Sequence, residues 1–179
     1  MSLNTAPQTP TERLLTELST LPRADFVARL GDIFEHSPWI ADRAWTARPF
    51  ESVGSLHAAM LAVLASASEA EKLALIRAHP ELAGKEAAAG TLTESSTGEQ
   101  KGAGLDQCSA AELHRLRELN AAYRSRFGFP FVIAVKGLSR HQIMDAIEAR
   151  LQNDPATEFR TCLGEIARIA RFRLDALMG

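Results

Sequence analysis

The sequence predicts an all-α fold, a single-domain helical bundle of about six to eight helices. Three observations carry this. Apolar residues recur at helical spacing along most of the 179 residues, capping signals precede most of those periodic stretches, and no hairpin signal interrupts them. The expected organisation is a loose N-terminal tail over residues 1–10 and one domain over 11–179.

In chain order, the first expected helix runs from about Ala24 to Glu35, followed by Val53 to Ala65 and Glu69 to Ala78. The third of these stops at His79, because Pro80 has no N–H to continue the ladder. Residues Gly84 to Gly104 are rich in Ala, Gly, Ser, Thr and Glu and read as a loop within the domain. Ser109-Ala-Ala-Glu112 is a capping box, and the helix it starts runs to about Phe127. Leu113, Leu116, Leu119 and Tyr123 form its apolar stripe, and Gly128 offers a left-handed stop. Helices from about Arg140 to Gln152 and Ala156 to Leu177 complete the set. Between them, Phe129 to Val135 is β-branched and aromatic without a partner strand. It is expected as an extended buried connector whose backbone groups must find side chains, water or a ligand.

Composition excludes several classes of function. Twenty basic against 22 acidic residues give a net charge of -2, which leaves no broad cationic surface for nucleic acid or an anionic membrane. Two cysteines, Cys108 and Cys162, are too few and too far apart for a thiolate zinc site or a disulfide framework. Neither a His-Glu-x-x-His pattern, a phosphate loop nor a nucleophile elbow occurs. The longest apolar tract, Ala58 to Ala67, is about half a membrane span. No secretory signal or peroxisomal tripeptide is read at the ends, so a cytoplasmic location is expected.

Three features can carry chemistry, and each also has a structural reading. His79 shares the inward face of Leu75 and Ile76 and ends its helix; it is either a core or capping histidine or a general acid or base held at a pocket floor. Ser96-Thr-Gly-Glu99-Gln100 fits a capping box with Ser96 as cap, and equally a helix start open to an anion or carbonyl oxygen. In the last helix, spacing from Ile166, Ile169 and Leu177 puts Arg173 on the apolar stripe and leaves Arg168 and Arg171 wet. Arg173 therefore needs an internal carboxylate or a planar hydrogen-bonding ligand.

Four motifs in order, Phe34-Glu-His-Ser-Pro-Trp39, His79-Pro-Glu-Leu-Ala83, Ser96-Thr-Gly-Glu-Gln100 and Phe127-Gly-Phe-Pro-Phe131, resemble the 2-oxo-4-hydroxy-4-carboxy-5-ureidoimidazoline (OHCU) decarboxylases of urate degradation. The likeness runs from about Arg13 to Met178. It implies a carboxy-lyase that needs no cofactor and no metal, forms a homodimer and converts OHCU to (S)-allantoin. It also implies His79 as proton donor with Glu99 as acidic partner. Substrate binding then falls to Pro80, Ser96, Thr97, Gly98, Gln100, Phe131, Val132, Ile133, Ala134, Val135 and Arg173. Two rivals stay open: a non-catalytic helical module that binds a purine-like ligand or a partner helix, and a metal-dependent hydrolase using His79, Glu81 and Glu99.

Overall fold

In the computed structural model, which describes residues 8–179, the chain is all-α, with ten α-helices and two 3-10 turns among the described residues. They fall into two compact units, one of residues 8–68 with 170–179, the other of residues 69–169.

The first unit holds α1 (Pro10–Thr20), α2 (Arg23–Leu30), α3 (Trp39–Ala44) and α4 (Val53–Ser66). Residues 1–7 of the expected tail lie outside the described residues, and its last position is helical. Thr9 caps α1, its side chain accepting from the Glu12 N–H while Glu12 returns a bond to the Thr9 N–H, and Pro10 takes the first helical position, where no N–H is needed. This helix has Leu15 and Leu18 on its buried face. Helix α2 is shorter than its apolar content suggests. After Leu30 the residues Ile33, Phe34 and Glu35 are buried in succession, which no single helical face can do, and His36 turns the chain at φ 46°. Helix α3 packs on α2 and α4, and the Phe26 and Phe50 rings stack at 5.9 Å.

The second unit holds α5 (Glu69–Ala78), α6 (Lys85–Ala89), α7 (Glu94–Gly102), α8 (Ala110–Phe127), α9 (Arg140–Arg150) and most of α10 (Pro155–Met178). The small-residue stretch expected as a loop thus contains two short helices. Low bulk hid them, because periodicity is read from large apolar side chains: α6 buries no residue, and α7 buries only the polar Ser96 and Gln100. Ser109 and Glu112 form the predicted capping box of α8, and Gly128 ends it at φ 76°. Asp154 opens α10, accepting the Thr157 N–H at 2.9 Å.

Residues 129–135 take neither helix nor strand. They are pinned by aromatic packing, with Tyr123 at the centre of contacts to Phe127, Phe129 and Phe131. They are also held by side chains of α9 and α10.

Candidate active site

A small cleft, open to solvent at its mouth, is lined within the second unit by His79, Pro80, Leu82, Ser96, Glu99, Gln100, Phe131, Val132, Ile133, Val135 and Ile169. Three stretches build it, with Ile169 of α10 beside them.

The first is the end of α5. His79 is buried, and its Nδ1 donates to the Leu75 carbonyl at 3.0 Å, one helical turn back. That bond fixes the ring and its tautomer: Nδ1 carries a proton, and Nε2 is the atom whose protonation can change during chemistry.

The second is α7. Its cap is Thr93, one turn before the expected Ser96: the Thr93 side chain accepts the Ser96 N–H at 3.2 Å. Both Thr93-x-x-Ser and Ser96-x-x-Glu fit a cap pattern, and the earlier one starts the helix. The open helix start expected at Ser96 is therefore replaced by a helix face. Ser96, Glu99 and Gln100 stand at i, i+3 and i+4, so all three project to the cleft. Thr97 and Gly98 fall on other faces; Thr97 lines a separate cavity, and a Cβ at Gly98 would meet open space.

The third is the connector. The Val132 carbonyl accepts from Arg150 Nη1 at 2.8 Å, and the Ala134 N–H donates to Glu165 Oε2 at 2.7 Å. An extended chain alternates the direction of its groups, so fixing Val132 and Ala134 on one side turns the amides of Ile133 and Val135 to the other. Among the described residues those two N–H groups have no protein acceptor, and both residues line the cleft. Ala134 itself does not line it.

Behind this wall is a buried polar network that sequence reasoning missed. Arg150 Nε donates to Glu158 Oε1 at 2.7 Å, Asn153 Nδ2 to Glu158 Oε2 at 2.9 Å, and the Tyr123 hydroxyl also donates to Glu158. Glu158 is fully buried. Burial pushes the Cys162 thiol up, only partly opposed by the Tyr123 hydrogen bond and the Arg150 charge, so this sulfur is a neutral hydrogen-bonding partner and no nucleophile. The signal was present: Glu158 and Cys162 lie eight and four residues before Ile166, on the same stripe that marked Arg173 as internal.

Arg173 lies in the first unit, outside the lining of this cleft. As expected from the stripe, it is buried and meets a carboxylate, with Nη1 2.8 Å from Glu35 Oε2 and 3.3 Å from the Asp32 carbonyl. Glu35 carries no periodic signal that could have named it. Arg168 and Arg171 are exposed or half-exposed and pair with Glu165 and Asp175. Glu81 turns away to Arg124 at 2.9 Å. Among the described residues no group of three His, Cys, Asp or Glu stands close enough to hold a metal ion.

Known proteins resemble this chain in sequence and fold. The family model described as OHCU decarboxylase matches residues 19–175. A 2-oxo-4-hydroxy-4-carboxy-5-ureidoimidazoline decarboxylase of Haloferax volcanii is 42% identical over 163 residues, 91% of this chain and 95% of its own. The protein of that name from Mus musculus is 37% identical over 165 residues, 92% of this chain and 93% of its own. Among solved structures, a crystal structure of (S)-allantoin synthase superposes with a TM-score of 0.73 at 31% identity over 91% of this chain. This chain spans about half of that longer one, 53%. A structure of OHCU decarboxylase in the presence of (S)-allantoin shares the fold, with a TM-score of 0.65 at 23% identity over 78% of this chain and 90% of its own. With its cleft, its motif order and these matches over nearly its whole length, the chain belongs to the OHCU decarboxylase family.

Proposed function

We propose that this protein decarboxylates OHCU to (S)-allantoin in urate degradation, using the cleft of His79, Glu99 and the 131–135 connector. The carrying observation is the convergence, in one small cleft, of a buried histidine with a fixed tautomer, a carboxylate, and two backbone N–H groups without a protein acceptor.

The chemistry asks for little more. In OHCU the carbon that carries the carboxylate also carries a hydroxyl and adjoins a C=N bond. The C–C bond breaks, CO2 leaves, and the electron pair enters the C=N system. The resulting enol-type intermediate then takes a proton at one carbon while its hydroxyl becomes the ring carbonyl. The substrate is its own electron sink, so the protein has to orient it, polarise it and deliver one proton to one face. His79 Nε2 is the proton-transferring atom in this reading, with Glu99 as its acidic partner. The Ile133 and Val135 amides and the Gln100 side chain read carbonyl oxygens of the ring, Pro80, Leu82 and Phe131 enclose it, and Ser96 lies beside Glu99 on the same helix face. Arg173, paired with Glu35 in the first unit, is not among the residues of this cleft. A homodimer and a cytoplasmic location complete the proposal.

OHCU also decays unaided, so speed and handedness are the measurable signature. Fresh OHCU with purified protein and no added cofactor should give optically active (S)-allantoin above the blank rate. Racemic allantoin at the blank rate would leave the non-catalytic binding module as the better account.

A further inference from the structure

One peptide group below the cleft is held at both ends. The Leu82 carbonyl accepts from Asn120 Nδ2 at 3.0 Å, and the N–H of the next residue, Ala83, donates to Gln100 Oε1 at 2.9 Å. These are opposite ends of the same planar unit, so the two bonds together fix its rotation. The fixing has work to do. Ala83 sits at φ 49°, the left-handed region that alanine disfavours, and a rotated peptide would relieve it.

The donor at one end also decides what Gln100 offers. An N–H can only meet the amide oxygen, so Gln100 spends Oε1 on the backbone and keeps Nε2, a pure donor, as the atom it can offer to the cleft it lines. If the peptide rotated, the Ala83 N–H would leave, and the Gln100 amide could turn over and present an acceptor instead.

Asn120 is the remaining piece. It lies on α8, does not line the cleft and is 4% exposed. Its Oδ1 is buried with no hydrogen-bond partner among the described residues. A buried amide with one half unsatisfied is a poor choice for stability alone, since each unmet polar atom costs its desolvation. Its one bond, to the Leu82 carbonyl, is what the position obtains in return.

We propose that Asn120 is a positioning residue for the cleft: by holding the Leu82 carbonyl it locks the Leu82–Ala83 peptide, and through that peptide it sets the Gln100 amide with its donor toward the substrate. This rests on the proposed reading of the cleft as the OHCU site. The affected step is binding and orientation of a carbonyl-bearing ring, with no part in proton transfer, so the effect belongs in KM.

The test is a double-mutant cycle on steady-state kinetics with Asn120→Leu, Gln100→Ala and the pair, each assayed well below its unfolding temperature. Asn120→Leu should raise KM about tenfold, the scale of one lost hydrogen bond, with kcat within about threefold. In the Gln100→Ala background the same change should add little further to KM. Asn120→Ala, which removes the donor without adding an apolar branch, should reproduce the KM effect and serves if the leucine variant fails to fold. Equal falls in kcat and kcat/KM, additive effects in the cycle, or an unchanged KM in a folded variant would each overturn the proposal. Wild-type protein without turnover would instead overturn the reading on which it rests, so the two failures separate.

Discussion

Removing Arg173 should strongly destabilise the first unit. Its side chain is 6% exposed and that of Glu35 is 1%, with 2.8 Å between the charged atoms. Arg173→Met keeps the length of the stem but strips the guanidinium from a carboxylate that cannot reach water. Breaking a buried pair from one side typically costs about 3–5 kcal/mol. At about 2–4 °C per kcal/mol for a chain of this size, the melting temperature should fall by about 6–20 °C. The companion change separates charge from packing: in Arg173→Met/Glu35→Leu no charge is stranded, so most of the loss should return and the coupling should be several kcal/mol. Urea and thermal unfolding of wild type, both single variants and the pair supply every number. A single-variant loss below about 1 kcal/mol, or additive single effects, would refute the claim that this pair is a buried structural unit. The double variant also tests the substrate role that the family resemblance implies for Arg173: a raised KM supports it, and an unchanged KM removes it.

Other expectations follow from the same geometry. The Ser109 N–H, Arg140 and His141 hold the Glu112 carboxyl down at about 2, against an ordinary 4.5; a depressed carboxylate adds stability above the unfolded value and loses it as pH falls from about 4.5 towards 2. Glu112→Gln should therefore unfold earlier than wild type at pH 6 and show a much smaller difference near pH 2–3 in acid-titrated urea melts; a constant gap would contradict the assignment. Glu165→Ala removes the acceptor of the Ala134 N–H and frees the connector, so KM should rise several-fold while far-ultraviolet circular dichroism stays unchanged. Glu99→Ala should lower kcat by about 100-fold or more, the scale of a lost acid–base partner, and a folded variant with a normal rate would return Glu99 to a surface residue of α7.

Much of this was legible in the sequence because it depends on local rules. The capping box at Ser109, the stop at Pro80 and the inward face of Arg173 each follow from spacing within one or two helical turns, and the structure has them there. The parts that were not legible depend on long-range pairing. Glu35 meets Arg173 across 138 positions of chain, and Asn120 meets Leu82 across 38; no periodicity reports such a meeting. The small-residue stretch failed for another reason. Thr93 and Ser96 both satisfy a cap pattern, and the choice of Thr93 moves Ser96, Glu99 and Gln100 onto one helix face while carrying Thr97 and Gly98 off it. A shift of three residues in a helix start therefore decided which of five consecutive candidates face the cleft. In the connector, the sequence announced unpaired backbone groups, but only the positions of Arg150 and Glu165 reveal which amides are spent and which face the cleft.

The account turns on His79 as the group that moves the proton, and one measurement tests it most directly: the rate and the enantiomeric composition of allantoin formed from fresh OHCU by His79→Ala, with wild type and an enzyme-free blank beside it. Loss of the imidazole should reduce the catalysed rate by about 100-fold or more and let the product drift to the racemate of the spontaneous reaction. A folded His79→Ala protein that still forms (S)-allantoin in excess at near wild-type rate would contradict the account and leave His79 as a capping residue of α5.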